Sequence, residues 1–236
     1  MSSDPRMSET APKTELMRSL GRLVRGLSAL FWGLPLALVV CVQTANTNWL
    51  VSLGHYGLIA PVVVTALLFY GLWLMSDFQK QERVWALALD RAKILGLVDV
   101  GLSPFLHWHQ QLPDIPFFYY AVSVMALSAL LFLFNLNQML QRLTAMLPDE
   151  TLREETRVFT SLNSVVLVLI PTFLAVYFAL SQIRHPPLSL GVVLRVLGPM
   201  SQWVLLFLIL LPMAITMSLI WKIKEAILAS VFGADH

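Results

Sequence analysis

Five blocks of the chain are apolar nearly throughout: Leu27–Thr44, Tyr56–Met75, Phe117–Phe134, Leu162–Ser181 and Val196–Trp221. Each is long enough to cross a hydrocarbon core of about 30 Å as a helix rising 1.5 Å per residue. Pro212 lies inside the fifth block, where a bilayer tolerates it if the freed carbonyl is satisfied locally. A sixth segment, Ile94–Trp108, is short and carries Asp99 and Pro104. It reads as a short span, a re-entrant piece or a helix lying in the interface.

The distribution of Lys and Arg separates these readings, because cytoplasmic flanks carry the excess. With the N-terminus inside and Ile94–Trp108 crossing, fourteen basic residues fall inside and only Arg184 and Arg195 outside. Without that crossing, the later flanks invert and the division becomes eleven against five. The expectation is an all-α polytopic membrane helix bundle of six spans, with five as the alternative and both termini cytoplasmic. The first apolar block lacks small residues at both key positions of a cleavage site, so it reads as an uncleaved span rather than a signal peptide.

Polar patterning places soluble features between the spans. Residues 1–26 form a basic cytoplasmic tail, in which Arg18, Arg22 and Arg25 can meet anionic headgroups. Residues 27–134 hold spans one to four. Within them, 79–93 alternates Val84, Leu87 and Leu89 with Glu82, Arg83, Asp90, Arg91 and Lys93, which suits an amphipathic helix at the cytoplasmic face. Residues 135–161 predict a cytoplasmic αα-hairpin broken at Pro148–Asp149–Glu150, with acidic residues enriching the start of its second helix. Residues 162–221 hold the last two spans and 222–236 a cytoplasmic tail. The hairpin's apolar stripe packs on its own neighbouring arm or docks a partner subunit; Leu136, Met139, Leu143, Arg153 and Arg157 are the candidates for docking. The outer loops are short and stiffened by Pro113, Pro116, Pro186 and Pro187. Trp49, Trp108, Tyr119, Tyr120 and Trp203 suit an interfacial aromatic belt.

Composition agrees with this reading. The chain is 57% hydrophobic and 13% charged with a mean hydropathy of +0.72, against about 25% charged in soluble proteins. A soluble domain is excluded, as is disorder beyond the tail. With one cysteine, Cys41, no internal disulfide or thiolate metal site can form, and a plain buried thiol is expected there. The basic residues are not clustered as a nucleic-acid surface requires. The expected partners are membrane lipids and other protein subunits, with no nucleic acid, in a membrane whose charge asymmetry fits a bacterial inner membrane.

Candidate chemistry is sparse. Asp99 is an intramembrane carboxylate, which costs about 2.5–3.5 kcal/mol on insertion scales unless paired, protonated or wetted. It suits a proton or ion pathway, a structural hydrogen bond, or a wet interfacial site. His55, His107, His109 and His185 all fall near the outer face, where imidazoles can hold a metal, haem or quinone. In a helix His107 and His109 point apart, so they share an ion only if the chain is extended or turned there. Asn135, Asn137, Gln138, Asn163 and Ser164 can knit the base of the hairpin. No P-loop, dinucleotide fingerprint, zinc-protease or c-type haem motif is present, and the sequence names no cofactor. The first functional reading is therefore a non-catalytic membrane subunit or scaffold. A channel or proton-coupled transporter using Asp99 is the alternative, and a redox or lipid-processing subunit using the outer histidines is the third.

Overall fold

The computed structural model describes residues 6–47, 56–78, 82–146, 150–181 and 188–232. Seven helices account for nearly all of them: α1 (Arg6–Asn46), α2 (Ile59–Met75), α3 (Arg83–Leu102), α4 (Pro104–Gln111), α5 (Pro116–Ala145), α6 (Glu150–Ser181) and α7 (Leu188–Phe232). The protein is an all-α bundle. Five helices are long and apolar enough to cross a membrane, with apolar stretches Met17–Asn46, Tyr56–Met75, Pro116–Ala145, Glu150–Val176 and Leu206–Ala229. Only 22–33% of the residues in their most apolar windows are buried inside the bundle. The exposed remainder includes Trp32, Trp73, Val158 and Phe207. Water cannot solvate so continuous an apolar surface at tolerable cost, and hydrocarbon can. The chain is an integral membrane protein.

The helices are longer than the apolar blocks. The first runs from Arg6, well ahead of Leu27, so the polar tail of the sequence reading is helical over most of its length. Good helix formers such as Ala11, Lys13, Glu15 and Leu16 extend it. At the other end of the chain, α7 continues past Trp221 to Phe232.

Segments 79–93 and 94–108, separate in the sequence reading, belong to one rod over their described residues. α3 and α4 meet at Ser103, which keeps right-handed helical dihedrals (φ −57°, ψ −32°). Pro104 has no N–H, so the Val100 carbonyl loses its helical partner. The Ser103 hydroxyl donates to that carbonyl instead, at 2.8 Å. A single buried stripe runs along the rod: Trp85, Leu89, Ala92, Gly96, Asp99, Ser103 and Leu106. These positions repeat every three or four residues, so one face packs inward while Val84, Leu87, Ile94 and Leu97 face out. The rod starts beside the end of α2, where Trp85 Nε1 donates to the Phe78 carbonyl at 3.1 Å. Its far end touches α1, with Leu106 near Cys41 and Asn46. It thus extends along the bundle rather than across it.

Helices α1, α2, α3, α5, α6 and α7 each touch the next, and α7 touches α1, closing a ring. At one end of the ring the core is dense: Leu23, Leu27, Met75, Phe78, Trp85, Met139, Leu143 and Ile223 belong to one buried cluster. Glycines allow α1 and α2 to approach closely there. A Cβ on Gly26 would stand 2.6 Å from the Gly71 carbonyl oxygen. The same end is tied by ion pairs, Arg22 with Asp77 and Lys222 with Glu155. Both pairs are partly exposed and contribute little individually.

This packing corrects the docking expectation for three residues. Leu136, Met139 and Leu143 are fully buried in the chain's own core, which includes Ile220, Ile223 and Ile227 of α7. A third helix covers the stripe, so these side chains have no surface left for a partner. Arg157 remains exposed. Arg153 is exposed too, but reaches back across the hairpin turn to donate to the Ala145 carbonyl at 3.3 Å.

Candidate functional site

Inside the ring, towards the end away from the dense core, lies a cavity of about 370 Å³. Ligand sites commonly occupy about 300–1,000 Å³. All six ring helices and α4 line it. The wall is almost wholly apolar, with Leu34, Leu68, Phe132, Leu133, Ile170 and Met213 among its members. Asp99 is its one ionisable oxygen group among the described residues. The stripe of α3 aims this side chain inward, one turn before the Pro104 break. One turn back at Gly96, an added Cβ would make ordinary van der Waals contact with Phe132 of α5 and Leu72 of α2, at 3.5 and 3.7 Å.

Asp99 is only 7% exposed, and its Oδ1 has no hydrogen-bond partner. Ser128 on α5 and Cys41 on α1 stand near enough to interact with the carboxyl. The Ser128 hydroxyl nevertheless lacks a partner at hydrogen-bond distance. Thr65 on α2 also lines the cavity, but its hydroxyl donates to the Pro61 carbonyl at 2.8 Å and approaches that of Val62. The site therefore consists of one buried carboxyl, a hydroxyl and a thiol in a hydrocarbon wall. A buried acid in such a place either stays neutral or waits for a partner.

Val42 and Leu174 line the cavity and are themselves 46% and 42% exposed. The cavity is only partly enclosed.

The two described candidate histidines, His107 and His109, are not brought together. His107 is buried on α4, and its ring Nε2 accepts from the Gln111 amide at 2.8 Å. His109 sits two residues on, and its Nδ1 is buried without a partner beside the Tyr119 ring. Helical geometry turns the two rings apart, so they cannot share one ion. Among the described residues no group of three His, Cys, Asp or Glu side chains could hold a metal. His55, His185 and Trp49 lie outside the described residues, as do Pro148, Asp149 and the loop prolines 186 and 187. Around α4, Phe105, Trp108, Phe117 and Phe118 form a chain of ring contacts with centroids 5.6–6.2 Å apart.

A second polar cluster is structural. Asn137 of α5 donates to Thr216 Oγ1 of α7 at 2.9 Å, and Asn163 of α6 donates to the same oxygen at 3.1 Å. The Thr216 hydroxyl in turn donates to the Pro212 carbonyl at 2.7 Å. The two asparagines were legible as helix glue, but the hub between them was not. Its signal was a threonine one turn beyond a proline inside an apolar run. Asn135 and Ser164 do not join it; each bonds a carbonyl one turn back on its own helix. Taken with the cavity, this is a membrane bundle organised around one buried acid; the chain matches no family model, and neither curated proteins nor solved structures match it.

Proposed function

We propose that this chain is a six-crossing membrane protein that binds a hydrophobic solute in the cavity around Asp99 and carries it within or across the bilayer. The observation that carries the reading is the buried Asp99 carboxyl, whose Oδ1 has no hydrogen-bond partner, in a partly enclosed apolar cavity. A purely structural acid would be satisfied by its own bundle. The subunit reading is weaker, because the apolar stripe offered for docking is covered by α7. Separation of His107 and His109 weakens the redox reading.

The sixth crossing in this reading is α3 and α4, added to the five long apolar helices, and the charge distribution supports it. Beyond the charges at Asp90, Arg91 and Lys93, the stretch from Ile94 to Gln111 is about 27 Å long at 1.5 Å per residue, close to the hydrocarbon thickness. In this arrangement both termini and the turn between α5 and α6 are cytoplasmic, in keeping with a bacterial inner membrane. Cysteines placed at Pro113 and Arg153 in a Cys41→Ser background test it with an impermeant maleimide on intact cells. Labelling at 113 alone is expected, and labelling at 153 alone leaves five crossings.

Binding is tested by extracting the purified protein and identifying retained apolar molecules by mass spectrometry. Ala129 lines the cavity from α5, so Ala129→Phe fills part of it. The wild-type protein is expected to retain a near-stoichiometric apolar molecule that the variant has lost. Identical extracts from both proteins would overturn the binding reading.

A further inference from the structure

The binding reading leaves the class of solute open, and the charge arrangement inside the cavity narrows it. We propose that the cavity selects a monocationic amphiphile, an alkyl or aryl amine whose ammonium N–H donates to Asp99 while its apolar body fills the remaining wall. This inference rests on the binding reading above.

Three observations carry it. First, Asp99 is more than nine-tenths buried, lines the cavity and has an oxygen without a partner. Second, no basic side chain lines the cavity among the described residues. Arg22, Lys93 and Lys222 are each engaged with an acid elsewhere: Asp77, Asp90 and Glu155. Among the described residues nothing supplies a counter-charge at this point, so a bound cation completes it. An anionic head would be repelled by the ionised acid. A neutral head would pair only with the protonated acid, whereas an ammonium pairs with the ionised carboxylate and stabilises that form in this low-dielectric wall. Third, the cavity is only partly enclosed, in a bundle whose outer surface is apolar enough to lie in hydrocarbon. An amphiphile dissolved in the membrane therefore meets the cavity with its tail already in hydrocarbon.

The rest of the wall sets the body of the ligand. It is lined mainly by Leu, Phe, Ile and Met side chains, with the Cys41 thiol, the Thr65 hydroxyl and the Asn46 amide as the other polar groups of the wall and Ser128 close by. One head with one or two N–H donors matches this inventory. A solute with several hydroxyls would bury more polar groups than this wall can partner.

The test compares tritiated dodecylamine with dodecanol, using the full chain in lipid nanodiscs and subtracting uptake by empty discs. Saturable binding of the amine at least about tenfold tighter than the alcohol is expected in the wild type. That preference should vanish in Asp99→Asn and return in Asp99→Glu, which distinguishes loss of charge from loss of fold. Equal saturable binding of amine and alcohol, unchanged by Asp99→Asn but lost in Ala129→Phe, would overturn the charge selection while leaving the cavity as a binding site. Absence of saturable binding for either probe would overturn both.

Discussion

Gly26→Leu is expected to be the most damaging single change in the bundle, at about 3 kcal/mol or more. At this position α1 and α2 touch backbone to backbone. A built Cβ would lie 2.6 Å from the Gly71 carbonyl oxygen and 2.6 Å from Met75 Cγ. The methionine end can rotate away, but the carbonyl belongs to an α2 helix packed on both sides and cannot. Small residues serve this purpose in membranes, where close packing replaces the hydrophobic drive between helices. Leucine at Gly26 must force the two helices apart, which also disturbs Leu23, Leu27 and Leu30 in the core beside it. Unfolding in mixed detergent micelles with increasing dodecyl sulfate measures the cost. Gly21→Leu is the control, because nothing lies within 4 Å of its Cβ position. A midpoint for Gly26→Leu no lower than that of Gly21→Leu would show that the contact is not close in solution.

Trp85→Ala is expected to cost about 3–5 kcal/mol by the same measurement. Trp85 is 1% exposed and is among the largest fully buried side chains. It joins the start of α3 to the end of α2 in two ways. Its ring meets Phe78 edge-on with centroids 6.2 Å apart, and its N–H satisfies the Phe78 carbonyl beyond the last turn of α2. Alanine removes the volume and orphans the carbonyl together. Trp85→Phe keeps most of the packing and loses only the donor, so a cost of about 1 kcal/mol is expected. Near-equal losses for the two variants would assign the whole effect to the hydrogen bond.

These two sites differ in how far the residues themselves revealed them. The five apolar blocks were legible because about 20 successive apolar side chains have few stable environments other than a bilayer. Asp99 was legible for the same reason, as a carboxylate standing out against an apolar background. Its roommates were not. Cys41, Thr65 and Ser128 are scattered over three helices, and nothing in their local spacing says that α1, α2 and α5 face a common cavity. The α3–α4 rod was misdivided for a related reason. Charges at Asp90, Arg91 and Lys93 and a proline at 104 look like boundaries in one dimension. Folded, the charges sit off the buried stripe, and the Ser103 hydroxyl repairs the proline break.

Amino-acid order alone determined the solvent this protein requires, the existence of its long helices and the presence of one acid among them. Those properties depend on local composition, which each segment carries by itself. Tertiary structure decided that the hairpin stripe is consumed by α7, that Thr216 joins two asparagines, that His107 and His109 diverge, and that Asp99 opens onto a cavity with no counter-ion among the described residues. Each of these depends on which helix faces are neighbours. Packing sets that choice through steric details such as a missing Cβ at Gly26, and periodicity along one helix does not encode it.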